Sequence, residues 1–562
     1  MNISTSIRRL TNLFIAFFLL LSVGLVYWQA IVAQPVTANS HNNRHCLPDS
    51  APIRGRILDR NGVVLAYSKR VDPNAPNAGT VCGYQRFYTE PSLAGLIGYY
   101  ISPLFGSTGI ERQYDDYLSG RNGVTGLNNT INETLHRPPI GDDIYLSIDV
   151  RIQRVVDQAF RADNPPPDNQ NVFATNRGAV IVTDPHTGQI LAMLSRPGFD
   201  PNRVAAGDLN YFHQLATDPE QPLLERPLED CAVPGSTYKT LTLLAALDSG
   251  SAQLTDQFDQ QQALGPVRID NETFDKGNNI QGYTYHFPVD LNYGYTHSDN
   301  IIFAQVGAKV GINTWLDYNN RFYVGKQIPF DLPVKVSTVT PQDQNHLCTY
   351  SAQDSQLSVA RLAENSFGQG VDFVTPMQMS LFDDAIANDG TLMRPMVVMR
   401  IVQPKTLDPN PTSVPGPIPM DNSQTVVQSN SPQSLGTPIS SQTASQMHDA
   451  MFGVVQCGSG SLRVTHLGTS PWAIIAKTGT GEVGGGKPAE AWLLTQAPYQ
   501  SPQLTIVALK ENAGEGGSAD GPMVTDMYNA IFGNKLAPNS PQTLPPPAPS
   551  NYCFDRGLLQ AP

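Results

Sequence analysis

"PGSTYKTLTLLAALDSG" (residues 234–250) is the stretch that decides the fold of this chain. Pro234 and Gly235 break what precedes, and Leu241, Leu244, Ala245 and Leu247 then recur at helical spacing, so a helix begins near Ser236. Ser236 and Lys239 stand three residues apart on it, which puts both side chains on one face. A serine hydroxyl is a weak nucleophile until a base removes its proton. A lysine serves as that base only where burial or a second cation lowers its pKa. The first N–H groups of the helix lack intrahelical partners and can stabilise an oxyanion. Taken alone, S-x-x-K also describes a serine that merely caps a helix.

Two stretches downstream remove that ambiguity. "YTHSDNIIFAQVG" (residues 295–307) carries Ser298-Asp299-Asn300 ahead of an apolar helical run, and "AIIAKTGTGE" (residues 473–482) carries Lys477-Thr478-Gly479-Thr480 at the end of an apolar strand. The order S-x-x-K, S-D-N, K-T-G resembles the set found in penicillin-binding proteins and serine β-lactamases. Charge then distributes the roles. Ser236 attacks a carbonyl and Lys239 takes its proton. Ser298 relays the proton to the leaving amine, and Lys477 keeps the site electropositive. Asn300 hydrogen-bonds the substrate amide and Lys239. Thr478 and Thr480 offer hydroxyls to a substrate carboxylate, Gly479 lying between them. The N–H groups of Ser236 and Thr480 form the oxyanion hole. Lys477 also helps keep Lys239 neutral, because like charges disfavour ionisation.

Around these motifs the pattern is α+β. "RGAVIVTDPHTGQILAMLS" (residues 177–195) predicts a hairpin with strands 179–183 and 189–195. Strands 472–477, 491–496 and 504–511 and a helix over 524–532 follow near the end, and residues 228–455 read as mostly helical. Early and late strands with helices between imply one antiparallel sheet flanked by helices. Upstream, "IRGRILDRNGVVLAYS" (residues 53–68) alternates about an Asn61-Gly62 turn and predicts a β-hairpin. "GDDIYLSIDVRIQRVVDQAF" (residues 141–160) passes from a strand at 144–148 into a helix from about Asp149. This boundary divides a β-rich part at 34–148 from a part at 149–535 that carries the three motifs. Residues 404–438, rich in Pro, Ser, Asn and Gln, read as an exposed insertion, and 536–562 as an extended Pro-rich tail.

Residues 1–12 precede an uncharged apolar run at 13–33 whose roughly 21 residues would span about 31 Å as a helix, the thickness of a bilayer core. Arg8 and Arg9 before it place the N-terminus inside and the bulk outside, with Tyr27 and Trp28 at the outer interface. The run exceeds the 7–15 residues usual in a signal peptide, and Ile31 sits where a small residue would precede cleavage at Ala33, so it reads as an uncleaved anchor. In that compartment the six cysteines can pair, Cys46 with Cys82 as one guess among 15 connectivities. No Cys/His spacing suggests zinc and no H-E-x-x-H occurs, so no metal or cofactor is expected. A net charge of −13 argues against a nucleic-acid partner. "GEVGGGKP" (residues 481–488) only imitates a P-loop, because Pro488 stands where a Ser/Thr is needed. It reads instead as a loop at the rim of the site. His297, beside Ser298, reads as structural rather than as a triad base, and Cys231 as packed or disulfide-bonded.

Beyond the three motifs, "RGRILDRNG" (54–62), "GSTGIERQYDDYLSG" (106–120), "GAVIVTDPHTGQILAMLSRPGFDPN" (178–202), "GQGVDFVTPMQMS" (368–380) and "AWLLTQAP" (491–498) resemble class B penicillin-binding proteins, the monofunctional transpeptidases. That resemblance implies that residues 34–148 are a pedestal and 149–535 the transpeptidase domain, with peptidoglycan stem peptides ending in D-Ala-D-Ala as substrate and β-lactams as covalent inhibitors. It also implies cell-wall synthesis partners, among them a polytopic glycosyltransferase of the shape-elongation-division-sporulation (SEDS) type, and residence in the inner membrane. Ala476 stands where the family usually has glycine, and Glu490 where a histidine is frequent. A β-lactamase, a carboxypeptidase and a non-catalytic penicillin sensor share parts of this pattern. The pedestal and anchor favour the transpeptidase over the first two, and intact Ser236, Lys239 and Lys477 oppose the last.

Overall fold

The computed structural model describes residues 3–27, 52–72, 74–75, 77, 81, 83–102, 106–122, 140–160, 172–275, 287–340, 348, 357–404, 411, 413–421, 423–458, 467–547, 549 and 551–558. The predicted Cys46–Cys82 pairing lies outside these residues.

Helix α1 (Ile3–Val26) is long and apolar enough to cross a membrane. It starts ten residues before the predicted anchor, because nothing in residues 3–12 breaks a helix. The hairpin expected at Asn61-Gly62 joins β1 (Ile57–Leu58) and β2 (Val64–Arg70), and β2 pairs in turn with β3 (Tyr84–Tyr88). Asp59 fastens the turn by accepting from the N–H groups of Asn61 and Val63, both at 2.8 Å, and Gly62 supplies its left-handed φ of 81°. β4 (Asp143–Leu146) lies parallel to β1, with Ile57 opposite Ile144 and Leu58 opposite Tyr145. Two family-like motifs meet beneath this sheet. Arg54 bonds Glu111 at 2.8 Å and Arg86 bonds its other oxygen at 2.6 Å, all three side chains buried. Glu111 lies on α2 (Gly109–Gln113), which α3 (Asp115–Leu118) follows.

The pedestal sheet does not end at the predicted boundary of 148. Strands β7 (Val398–Val402) and β8 (Val426–Ser429) complete it, giving the six-strand order β8-β7-β4-β1-β2-β3. Part of the predicted insertion at 404–438 is therefore the edge of a sheet. Its polar composition fits an edge strand with one wet face, where Val426 and Ser429 are exposed.

In the catalytic domain, β5 (Gly178–Asp184) and β6 (Gln189–Arg196) form the predicted hairpin. They share an antiparallel sheet with β9 (Ile475–Gly481), β10 (Glu490–Ala497) and β11 (Leu504–Lys510), in the order β9-β10-β11-β5-β6. Every residue of β5, β10 and β11 is buried, as continuous apolar runs require when both faces are covered. Consecutive residues of β10 show the two faces. Thr495 meets Tyr528 of helix α10 (Gly516–Gly533), whereas Gln496 donates to Asp383 of α8 (Pro376–Ala387) at 2.8 Å. α4 (Val150–Ala159), capped by Asp149, packs beside α10.

Two local expectations are corrected. β9 starts three residues later than the strand predicted at 472–477, which places Lys477 inside the strand and not at its end. α10 begins eight residues before 524, despite Gly516, Gly517, Gly521 and Pro522. Space explains this start: a Cβ on Gly516 would lie 2.3 Å from the carbonyls of Gly479 and Trp492. The predicted extended tail is pinned as well. Its helix α11 (Tyr552–Asp555) carries Cys553, bonded to Cys457 of α9 (Ser441–Cys457), and Leu558 is fully buried.

Candidate active site

A 3₁₀ turn at Gly235–Tyr238 carries Ser236 and runs directly into α5 (Lys239–Asp248). Residues 239–246 of α5 are all buried, so this helix is covered on every side and forms the centre of the domain. Lys239, its first residue, is thereby desolvated. α6 (Leu291–Thr296) and α7 (Asn300–Val310) bracket the second motif. Asp299 caps α7 by accepting from the N–H groups of Ile301 and Ile302, at 2.8 and 3.0 Å. Ser298, between the two helices, has a φ of +61°, a left-handed conformation costly for a side chain of its type. Lys477 arrives from β9, the open edge strand of the sheet.

All three motifs converge on Lys239. Its Nζ lies 2.9 Å from Ser236 Oγ, 2.6 Å from Asn300 Oδ1, 2.6 Å from the Ser298 carbonyl and 3.1 Å from Ser298 Oγ. Lys477 Nζ reaches the same Ser298 Oγ at 2.9 Å and the Thr478 carbonyl at 3.1 Å. Ser298 Oγ thus bridges two amines. Burial and then Lys477 push the Lys239 pKa well below its ordinary value, and burial brings Lys477 down to about 7. A neutral lysine has two N–H donors and one lone pair. The two nearest partners, the Ser298 carbonyl and Asn300 Oδ1, can only accept and so take the N–H groups. The lone pair is left for the Ser236 hydroxyl. None of the four oxygens around Lys239 Nζ is a carboxylate.

Glycines set the opposite wall. Gly235, with φ +55°, abuts Thr480 so closely that a Cβ would stand 2.4 Å from its carbonyl, and a Cβ on Gly479 would stand 2.6 Å from the carbonyl of Pro234. The Thr480 carbonyl accepts from Gln369 Nε2 at 3.2 Å, on the side away from β10. In an antiparallel strand a residue's N–H and C=O point the same way, so the Thr480 N–H also faces the open edge, toward Ser236. Thr478 is half-buried and Thr480 exposed on that edge.

His297 does not join the cluster; its Nε2 lies 2.8 Å from the Leu558 carbonyl. Cys231 is bonded to Cys348, 117 residues away. Residues 482–488 form the exposed turn between β9 and β10. They border a cavity of about 320 Å³ that Glu490 also lines. Three supporting residues escaped the sequence reading. The Tyr295 ring lies 5.5 Å from Lys477 Nζ, Trp492 Nε1 holds the Val233 carbonyl at 2.9 Å, and a Cβ on Gly368 would strike the Gly235 carbonyl. The "AWLLTQAP" resemblance covers Trp492 without giving it a role. Gly368 likewise opens the "GQGVDFVTPMQMS" stretch and Tyr295 the second motif's stretch, neither with a role assigned, because their contacts are made by long-range packing.

Comparison with known proteins agrees over most of the chain. Residues 178–531 match the Penicillin binding protein transpeptidase domain, and residues 54–144 match the Penicillin binding protein A dimerisation domain. The peptidoglycan D,D-transpeptidase PbpA of Mycolicibacterium smegmatis is 28% identical over 92% of this chain and 96% of its own. The peptidoglycan D,D-transpeptidase MrdA of Escherichia coli is 26% identical over 81% of this chain and 70% of its own. The imipenem acyl-enzyme complex of penicillin-binding protein A from M. tuberculosis superposes with a TM-score of 0.70 at 26% identity, covering 86% of this chain and all of the other.

Proposed function

The chain belongs to the penicillin-binding proteins, in their class B, and from that premise we propose that Ser236 is the nucleophile of its peptidoglycan D,D-transpeptidase activity and Lys239 the general base. The enzyme is a serine-type transpeptidase that cross-links peptidoglycan stem peptides and is acylated by β-lactams. Ser236 Oγ attacks the carbonyl of the penultimate D-alanine while its proton passes to Lys239. The N–H groups of Ser236 and Thr480 hold the oxyanion. Ser298 returns the proton to the departing D-alanine amine, between Lys239 and Lys477. Asn300 orients the donor amide, and Thr478 and Thr480, with Gly479 between them, receive the terminal carboxylate beside Lys477. The acceptor amine of a second stem peptide then resolves the ester. One observation carries this reading: Lys239 Nζ lies 2.9 Å from Ser236 Oγ, with its two nearest other contacts being atoms that can only accept.

The domain roles belong to the same reading. Residues 34–148 form a pedestal and residues 149–535 the catalytic domain, which lends β7 and β8 to the pedestal's sheet; α1 is a single-pass anchor of the cytoplasmic membrane with the catalytic domain outside. The pedestal is the surface offered to a polytopic SEDS-type glycosyltransferase. Extracytoplasmic placement is supported by Arg8 and Arg9 ahead of the apolar run and by two disulfides in the catalytic domain. The deciding experiment is labelling with a fluorescent penicillin followed by mass spectrometry. Wild type gains one adduct on the peptide containing Ser236, and folded Ser236→Ala gains none. An intact adduct on Ser236→Ala would refute the assignment.

A further inference from the structure

The C-terminal segment ends against the residue next to Ser298. α11 is tied to α9 by the Cys457–Cys553 bond, and Tyr552 packs edge-to-face on Phe452 of α9 with ring centroids 4.9 Å apart. Arg556 pairs with Asp449 at 3.2 Å. Leu558 is fully buried, with its Cδ1 3.1 Å from where a Cβ on Gly453 would stand. These contacts fix the Leu558 carbonyl in place, and His297 Nε2 lies 2.8 Å from it. A carbonyl can only accept, so the imidazole carries its proton on Nε2 and donates. Burial holds the His297 pKa below its ordinary value, which keeps the ring neutral. Its other side rests on Tyr293, ring centroids 4.1 Å apart. The residue this ring precedes is Ser298, whose φ of +61° persists only where the surroundings over-determine it.

We infer that residues 551–558 are a strap whose Leu558 carbonyl, through His297, positions Ser298 between Lys239 and Lys477. On the catalytic side the Ser298 backbone is held by its N–H donating to the Tyr295 carbonyl at 3.1 Å, by its carbonyl accepting from Lys239 at 2.6 Å, by Asp299 capping α7, and by the Asp299 N–H donating to the Gly294 carbonyl at 2.7 Å. The strap adds a further constraint, from outside the site. His297 is therefore a positioning residue, and it touches none of the reacting atoms.

The inference rests on the acylation reading above, and penicillin kinetics separate the two. His297→Phe keeps a ring on Tyr293 but cannot donate; His297→Gln restores an N–H of similar reach. The noncovalent binding constant and the acylation rate constant are measured for each, and for the chain ending at Gly557. We expect His297→Phe to lower the acylation rate constant by roughly tenfold or more, the scale of effect expected when a reacting group is misplaced by a fraction of an ångström. The binding constant stays unchanged, and His297→Gln recovers most of the rate. The chain ending at Gly557 shows the same loss, and combining it with His297→Phe adds nothing further. Should His297→Phe fail to fold, the shortened chain reads the same contact. A wild-type acylation rate in either variant, a loss confined to binding, or additive losses would overturn the strap while the acylation reading stands. Wild type that took no label would overturn both.

Discussion

In the mechanism proposed above Lys239 is the residue on which the chemistry turns, and its protonation should be visible in rate. With its pKa held well down by burial and by Lys477, it becomes a base as pH rises through that lowered value. Lys477, brought to about 7, loses its charge as pH rises further, and with it the attraction for the substrate carboxylate. The pair titrates in two coupled steps, so acylation should rise on the acid side and fall on the alkaline side of neutrality. Lys239→Arg keeps a cation but cannot be deprotonated, and it should lose acylation by at least about a hundredfold at every pH from 5 to 10. Second-order acylation rates across that range test both statements. A near-normal rate for the arginine variant would mean that another group takes the proton. That Ser236, Lys239, Ser298, Asn300 and Lys477 come together in one cluster was legible from motif order, because the proposed chemistry needs those types at those spacings. The left-handed backbone of Ser298 was not, since long-range packing imposes it.

At the scale of elements, the site depends on how closely the 3₁₀ turn of Ser236 approaches β9. Gly235→Ala would place a methyl group 2.4 Å from the Thr480 carbonyl at a φ of +55°. The turn must then withdraw from the strand, separating the two oxyanion donors. We expect an acylation loss of about 10²–10³-fold, the usual consequence of losing one such donor, and a lower melting temperature. Ala at 235 with undiminished acylation would remove Thr480 from the oxyanion hole. Sequence period identified β5, β10 and β11 because apolar runs and turn residues are local signals. It mis-set the start of α10, where glycines that discourage a helix are required by the close approach of Gly479 and Trp492. It also missed the structure of residues 404–438 and 551–558. Polar and Pro-rich composition indicates exposure, but the strand pairing of β8 and the Cys457–Cys553 bond are decided by distant partners.

For the molecule as a whole, buried carboxyls outweigh buried lysines in setting the response to pH. Burial pushes Glu225, Glu490 and Asp520 up to about 8, and Asp384 to about 7. Each binds more protons folded than unfolded between roughly pH 4.5 and these values, so each makes stability fall as pH rises through that window. The two lysines act in the opposite sense. Glu225 is the instructive member: it packs against Gly95 of the pedestal, and neither carboxyl oxygen has a hydrogen-bond partner among the described residues. Glu225→Gln should therefore reduce the drop in melting temperature between pH 6 and pH 9; equal drops in the two proteins would show that Glu225 titrates normally. The sheet shared by pedestal and catalytic domain has a further consequence, mechanical in kind. In the proposed mechanism the enzyme, held at one end by its anchor and at Ser236 by an ester to the wall, bears tension for as long as the ester lasts. That pull enters β1 at its N-terminal end and leaves β4 at its C-terminal end. Because β1 and β4 run parallel, it drags them past one another, and their hydrogen bonds resist together instead of opening one after another as they would in a peeled hairpin.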